Sequence, residues 1–209
     1  MDLKDKKVWG FYLTAILLVV ADQLTKLIVK GCDFGFLSFP GMNYGESIPV
    51  LGSFLQFTYI ENAGMAFGIT FGAGKIFLSL FSVFASAFLA YYIYKIRDVH
   101  FAVKLGFSLI LAGAFGNLID RVFYGVIFGE QPLFYGHVVD FIQVDIPDID
   151  FLGLHYSHWP VFNIADSCVS CGVVLLLLVH NKIPLLNDTF KKSNSNTSPE
   201  KDSVEKNDE

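Results

Sequence analysis

Four stretches of the chain stay apolar for about twenty residues each, and charged residues enter them only towards their ends. A bilayer core of about 30 Å takes roughly 20 residues of helix to cross. The pattern therefore predicts transmembrane helices at about 8–29, 76–96, 101–122 and 163–183. The second is rich in Phe, Ser and Ala, carries Tyr91, Tyr92 and Tyr94 near one end, and reads as scaffold with interfacial aromatics. Of the two longest intervening segments, 31–75 contains Phe54-Leu-Gln-Phe-Thr-Tyr-Ile60, a strand-favouring run bounded by turn-forming residues. The other, 123–162, reads as a long aromatic loop. The expected fold is all-α, a four-helix transmembrane bundle with a small β-sheet segment, forming one domain over 1–186. Residues 187–209 are Ser, Asn, Lys and acids with almost no apolar side chains, the composition of a disordered tail.

Composition agrees with the pattern. The chain is 53% hydrophobic and 17% charged, with a mean hydropathy of +0.50, too apolar for an ordinary soluble domain. The basic residues orient it. Lys4, Lys6 and Lys7 precede the first span, Lys95, Arg97 and Lys104 surround the turn between the second and third, and Lys182, Lys191 and Lys192 follow the fourth. Segments 31–74 and 122–181 contain no Lys or Arg. The positive-inside rule then predicts both termini and the tail in the cytoplasm, with the long segments and the small sheet outside. A Lys cluster before an apolar run also admits a cleavable signal peptide, with Val19-Val-Ala21 as a poor cleavage site. Cleavage would leave three spans and break the charge symmetry, so an uncleaved first helix is the better reading. The net charge of −5, without a basic patch, excludes nucleic acid as a partner.

Candidate chemistry concentrates at the outer ends of the spans. Asp140 lies in His137-Val-Val-Asp-Phe141, and Asp166 in Phe162-Asn-Ile-Ala-Asp166. A carboxylate at the mouth of a span is costly to desolvate and marks function more often than packing. Two of them in compact polar motifs suggest a pair sharing one proton, the chemistry of an aspartic hydrolase. The plainer alternative is a pair of solvated loop acids. Asp22 and Lys26 are four apart in the first span and face the same side of a helix, where an ion pair would fix that helix in the bundle. Asn117, Asp120 and Arg121 share a turn at the outer end of the third span. There Arg121, with Lys26 the basic residue of the outer half, reads either as an interfacial anchor paired to Asp120 or as part of a site. Gly113 and Gly116 offer a smooth face for close helix contact. His137, His155 and His158 match no strong zinc spacing, so no metal is expected. Cys32 and the Cys168-Val-Ser-Cys171 pair read as buried, inert thiols.

Five motifs then stand in a recognisable order: Asp22-Gln-Leu-Thr-Lys26, Glu61-Asn-Ala-Gly-Met-Ala-Phe-Gly68, Gly116-Asn-Leu-Ile-Asp-Arg121, Val138-Val-Asp-Phe141 and Phe162-Asn-Ile-Ala-Asp166. On a four-span frame, over about 8–183, they resemble the lipoprotein signal peptidase (signal peptidase II) family. The resemblance implies an aspartic endopeptidase of the bacterial cytoplasmic (inner) membrane, multi-pass, with its active site at the outer face. It would remove the signal peptide from prolipoproteins just before the cysteine that already bears a diacylglyceryl group. It implies Asp140 and Asp166 as catalytic acids, Asn62, Asn117, Arg121 and Asn163 as substrate contacts, and Asp22, Lys26 and Asp120 as structural polar residues. No cofactor is implied; the partners are the lipidated prolipoprotein and membrane lipids, and the enzyme is expected as a monomer. Segments 122–136 and 142–161 look longer than the family minimum, and the family's paired glycine appears as Gly113-Ala114. The rival from another class is a small proton- or ion-coupled transporter, which calls for acids spread across the membrane depth and internal repeats. Here the acids cluster at one face and no repeat is visible.

Overall fold

A computed structural model of the chain describes residues 3–64, 74–96, 98–151 and 154–184. The expectations that fall on motif residues 65–68, on Arg97 and on the tail 187–209 lie outside these residues. Among the described residues, three helices are long and apolar enough to cross a membrane, at Val8–Lys30, Ile76–Lys95 and Phe101–Ile127. The first belongs to α1 (Leu3–Lys30) and the second to α2 (Gly74–Lys95). The third combines α3 (Phe101–Ile119), a π-helical turn (Asp120–Tyr124) and the short α4 (Gly125–Ile127). The fourth apolar helix, α5 (Ile164–Leu178), is shorter than the stretch expected at 163–183. Its 15 residues rise about 22 Å, because Val179 leaves helical geometry and a 3₁₀ turn, His180–Lys182, follows. Leu13, Leu17 and Leu24 on α1, Phe77, Phe81 and Phe84 on α2 and Leu177 on α5 are all exposed, an apolar belt suited to lipid rather than water.

Helix α3 is the centre of the bundle, with α1, α2 and α5 packed around it. Its glycines permit the contact that the sequence suggests. A Cβ at Gly113 would stand 2.2 Å from the Ala165 carbonyl oxygen of α5. One at Gly116 would stand 2.8 Å from Oδ2 of Asp22, so this glycine makes room for a buried acid. Gly113→Ala is expected to push α5 aside and to lower stability by about 1–3 kcal/mol, the usual cost of overpacking. Thermal unfolding in detergent measures it; an unchanged midpoint means that α5 moves freely.

The extramembrane segments form two small antiparallel sheets. A hairpin of β1 (Gly31–Asp33) and β2 (Ser38–Pro40) follows α1 directly. The second sheet runs β3–β4–β5–β6, from Ser47–Leu51, Leu55–Asn62, Val138–Phe151 and Leu154–His158. Strand β4 covers the run expected to be extended. Strands β5 and β6 occupy the segment expected to be an aromatic loop, and their signal is the β-branched and aromatic series from Val138 to Ile146. Val139 and Phe141 pack with Tyr59, Tyr124 and Val29 into a core between this sheet and the bundle. Pairing sets Ile60 opposite Asp140 and Asn62 opposite Val138. Phe162 bridges to Ile142 on the other side of β5, with hydrogen bonds of 2.7 and 3.0 Å, and so seats the start of α5 beside Asp140.

Candidate active site

The lowest layer of the site is a buried ion cluster. Lys26 is fully buried, and its ammonium meets Asp22 at 2.8 Å, Asp120 at 2.7 Å and Asn117 Oδ1 at 2.9 Å. An ammonium has three donors, and all three are used. Asp22 also accepts from the Ala165 amide at 2.8 Å, and Asp120 from Gln23 Nε2 at 2.9 Å and the Val139 amide at 3.2 Å. The Asp22–Lys26 pair is therefore present as expected, and it ties α1 to α3, to β5 and to the start of α5.

Two carboxamides stand on this layer. Asn117 turns its carbonyl to Lys26 and donates from Nδ2 to Asp166 Oδ1 at 2.8 Å. Asn163 caps α5: its Oδ1 accepts from the Asp166 amide at 2.9 Å, while Nδ2 donates to Asp140 Oδ1 at 2.7 Å and to Asn117 Oδ1 at 3.1 Å. Because each carbonyl is held by a cation or a backbone amide, each NH₂ group must face a carboxylate. Asn62, at the end of β4, adds another hydrogen bond to Asp140. Asp140 and Asp166 thus come together from a strand and a helix 26 residues apart in sequence (166 − 140), each held by an amide donor.

Burial of Asp140, followed by the nearby charge of Asp166, pushes its pKa up from the usual carboxylate range to about 7; Lys26, Asn62 and Asn163 act the other way. Asp166 sits in the first turn of α5, where the helix dipole favours negative charge.

Of the two readings of Arg121, the interfacial anchor paired to Asp120 is not what the structure shows. Adjacent helical residues point about 100° apart, so Asp120 turns inward to Lys26 while Arg121 turns to α2, where Nη1 donates to Ser82 Oγ at 3.3 Å. Its Nε is buried without a hydrogen-bond partner among the described residues, and its charge acts on Asp120, Asp166 and Asp140. The π-turn that starts at Asp120 is covered by the following loop: the Phe134 and Gly136 amides donate to the Val122 and Arg121 carbonyls at 3.1 and 3.0 Å.

Lys30 is the basic residue missing from the outer half in the sequence reading. Its ammonium pairs with Glu61 and reaches Glu130 at 2.8 Å, and His137 Nδ1 lies 3.3 Å from the other Glu61 oxygen. For Glu61, burial acts upward, but Lys30 and Tyr59 outweigh it, and its pKa is held below the usual range. This cluster clamps the ends of β4 and β5 next to Asn62 and Asp140. A run of four charges or imidazoles drawn from four separate segments leaves no local sequence signature. Among the described residues, no three His, Cys, Asp or Glu side chains gather in a metal-holding group. The side chain of His155 lies outside the described residues. Cys32 and Cys168 are buried, whereas Cys171 is exposed, contrary to expectation, because it faces outward on α5.

Comparison with known proteins converges on one family. The profile of the family described as Signal peptidase (SPase) II matches residues 14–181. The lipoprotein signal peptidase of Chlorobaculum tepidum is 36% identical over 175 residues, covering 83% of this chain and 94% of its own. That of Porphyromonas gingivalis is 37% identical over 204 residues, covering 84% and 85%. Two solved structures described as bacterial membrane enzymes superpose with TM-scores of 0.59 and 0.61 at 30% and 32% identity; they cover 93% and 84% of this chain and 94% of each solved chain. By its motifs, its bundle and these matches, the chain belongs to the signal peptidase II family.

Proposed function

We propose that this chain is an aspartic-type endopeptidase of the bacterial cytoplasmic membrane that cuts prolipoproteins immediately before their diacylglyceryl-modified cysteine. It acts as a monomer with four spans, both termini cytoplasmic and the site at the outer face. The observation that carries this reading is the carboxylate pair, Asp140 and Asp166, held by Asn163 and Asn117 above the Lys26 cluster. Both acids and their supports come from one chain, so no second copy is needed. Asp140, raised towards neutrality, holds the shared proton, and ionised Asp166 takes a proton from the attacking water. Asp140 polarises the scissile carbonyl and then protonates the leaving amine of the cysteine. Asn62, Asn117, Asn163 and Arg121 position the substrate backbone, and Arg121, whose Nε has no hydrogen-bond partner among the described residues, supplies positive charge for the developing oxyanion.

The test is a gel-shift assay with purified protein and a prolipoprotein in its diacylglyceryl and unlipidated forms. The lipidated form is expected to be cut far faster, because each buried methylene is worth about 0.8 kcal/mol and the chains hold the substrate at the right depth. Equal rates in the same detergent contradict this.

Arg121→Lys keeps the charge but loses the planar fork of donors. It is expected to insert normally and to lose most activity. In Arg121→Ala, Asp120 stays held by Lys26 and Gln23, so the unfolding midpoint should stay near wild type while turnover falls further. Full wild-type turnover in Arg121→Lys removes the residue from the site.

A further inference from the structure

Helices α1 and α2 both pack on α3 but leave between them a cleft of about 470 Å³. Its walls are apolar, with Val19 from α1, Ala87 from α2 and Leu111 and Leu118 from α3. At one end the Tyr12 hydroxyl donates to the Ala90 carbonyl at 2.6 Å and closes the cleft by tying α1 to α2. The other end lies at the height of the candidate site along the helices, where Leu118 adjoins Asn117 in α3 and Val20 lies two residues before Asp22 in α1. Along α1 the wall from 12 to 20 is about 12 Å tall at 1.5 Å per residue, a slot suited to a hydrocarbon chain.

One polar group in this wall is unexplained. Ser86 is 3% exposed, and its Oγ has no hydrogen-bond partner among the described residues. A helical serine can return its hydroxyl to the carbonyl four residues back, as Ser82 does to Leu78 at 2.8 Å; Ser86, one turn further on, does not. A buried hydroxyl without a partner is unfavourable, so an occupant of the cleft that carries an acceptor gains there. Ser86 lies four residues, about 6 Å, inward of Ser82, the hydrogen-bond partner of Arg121. A glyceryl group on the cysteine sulfur places its nearer ester carbonyl about seven bonds from the scissile nitrogen, a reach of more than one helical turn.

We propose that this cleft seats one acyl chain of the substrate's diacylglyceryl group, with the Ser86 hydroxyl donating to that chain's ester carbonyl. The proposal rests on the peptidase reading above and makes the α1–α2–α3 cleft the element that selects the lipid. Ala87 is exposed, so Ala87→Phe fills the cleft without disturbing a packed core.

The experiment uses the full-length protein in one detergent and lipoprotein peptides whose cysteine carries a dipalmitoyl, a diacetyl or an ether-linked dihexadecyl glyceryl group. In wild type, KM is expected to favour dipalmitoyl over diacetyl. Ala87→Phe reduces that preference about tenfold, equivalent to losing contact with about two methylenes, and leaves kcat and the diacetyl KM unchanged. Ser86→Ala abolishes the preference for ester over ether, and Ser86→Thr restores it. An unchanged chain preference in Ala87→Phe, or an ester preference retained in Ser86→Ala, overturns the proposal. So does an equal KM change for both ester substrates in Ala87→Phe, which assigns the cleft to a membrane lipid. Failure of wild type to cut any of these peptides removes the peptidase reading instead, and is distinguishable because the proposal concerns only ratios between substrates that are cut.

Discussion

Asp140→Asn is expected to abolish turnover and, at the same time, to stabilise the folded protein at pH 8. Loss of a positioned acid–base group costs about 10²–10⁴-fold in rate, and the amide keeps the shape of the carboxyl without its proton chemistry. Asp166→Asn is expected to lose turnover equally, since neither acid works without the other. The stability effect follows from linkage. Burial and the charge of Asp166 raise the folded-state pKa of Asp140 from the usual carboxylate range to about 7, so the folded state binds its proton more tightly than the unfolded chain. Its contribution to stability is fully present below about 4 and is lost as pH rises towards 7. Asparagine has no such loss, so the difference in unfolding midpoint between variant and wild type should grow from pH 5 to pH 8 and then level off. By the same sign, turnover should fall as pH rises past about 7, when Asp140 no longer carries the shared proton. Retained turnover in either purified variant removes the pair as catalysts, and a midpoint difference independent of pH removes the raised acidity of Asp140.

Lys26→Met is expected to be the most destabilising single substitution near the site. It removes the cation that Asp22 and Asp120 share in a fully buried position, with both carboxylates left in place. Breaking such a pair from one side costs about 3–5 kcal/mol, because a buried charge loses its partner. Activity should go with it. Without the ammonium, the Asn117 carbonyl is no longer held, and its NH₂ is free to turn away from Asp166. The companion variant Lys26→Met/Asp22→Asn/Asp120→Asn removes the charges together and is expected to recover most of the accumulation and thermal stability, though not the turnover. Wild-type stability in Lys26→Met means that the cluster is wet. Failure of the triple variant to recover anything means that its shape, rather than its charge, matters.

Features that depend on residues a few positions apart were legible in the sequence. Runs of apolar residues marked the helices, and the four-residue spacing of Asp22 and Lys26 placed them on one face of α1. The order of the five motifs pointed to the family before any geometry was known. The composition of Phe54–Ile60 likewise identified the strand that became β4. Tertiary structure alone decided which distant groups share a partner. Asp120 went to Lys26 rather than to its neighbour Arg121, because one helical step points side chains about 100° apart and only the packing of α1 on α3 offers a second cation. Lys30, Glu61, Glu130 and His137 met because a helix end, two strand ends and a loop converge, and no local period encodes that. The extended run from Val138 was obscured by its length and aromatic surroundings, and it acquired a definite register only by pairing with β4 and Phe162. The orientation of Asn117 and Asn163 towards the two aspartates, the feature on which the proposed chemistry depends, followed from that convergence: a carboxamide turns its NH₂ to an acid only when something else has claimed its carbonyl.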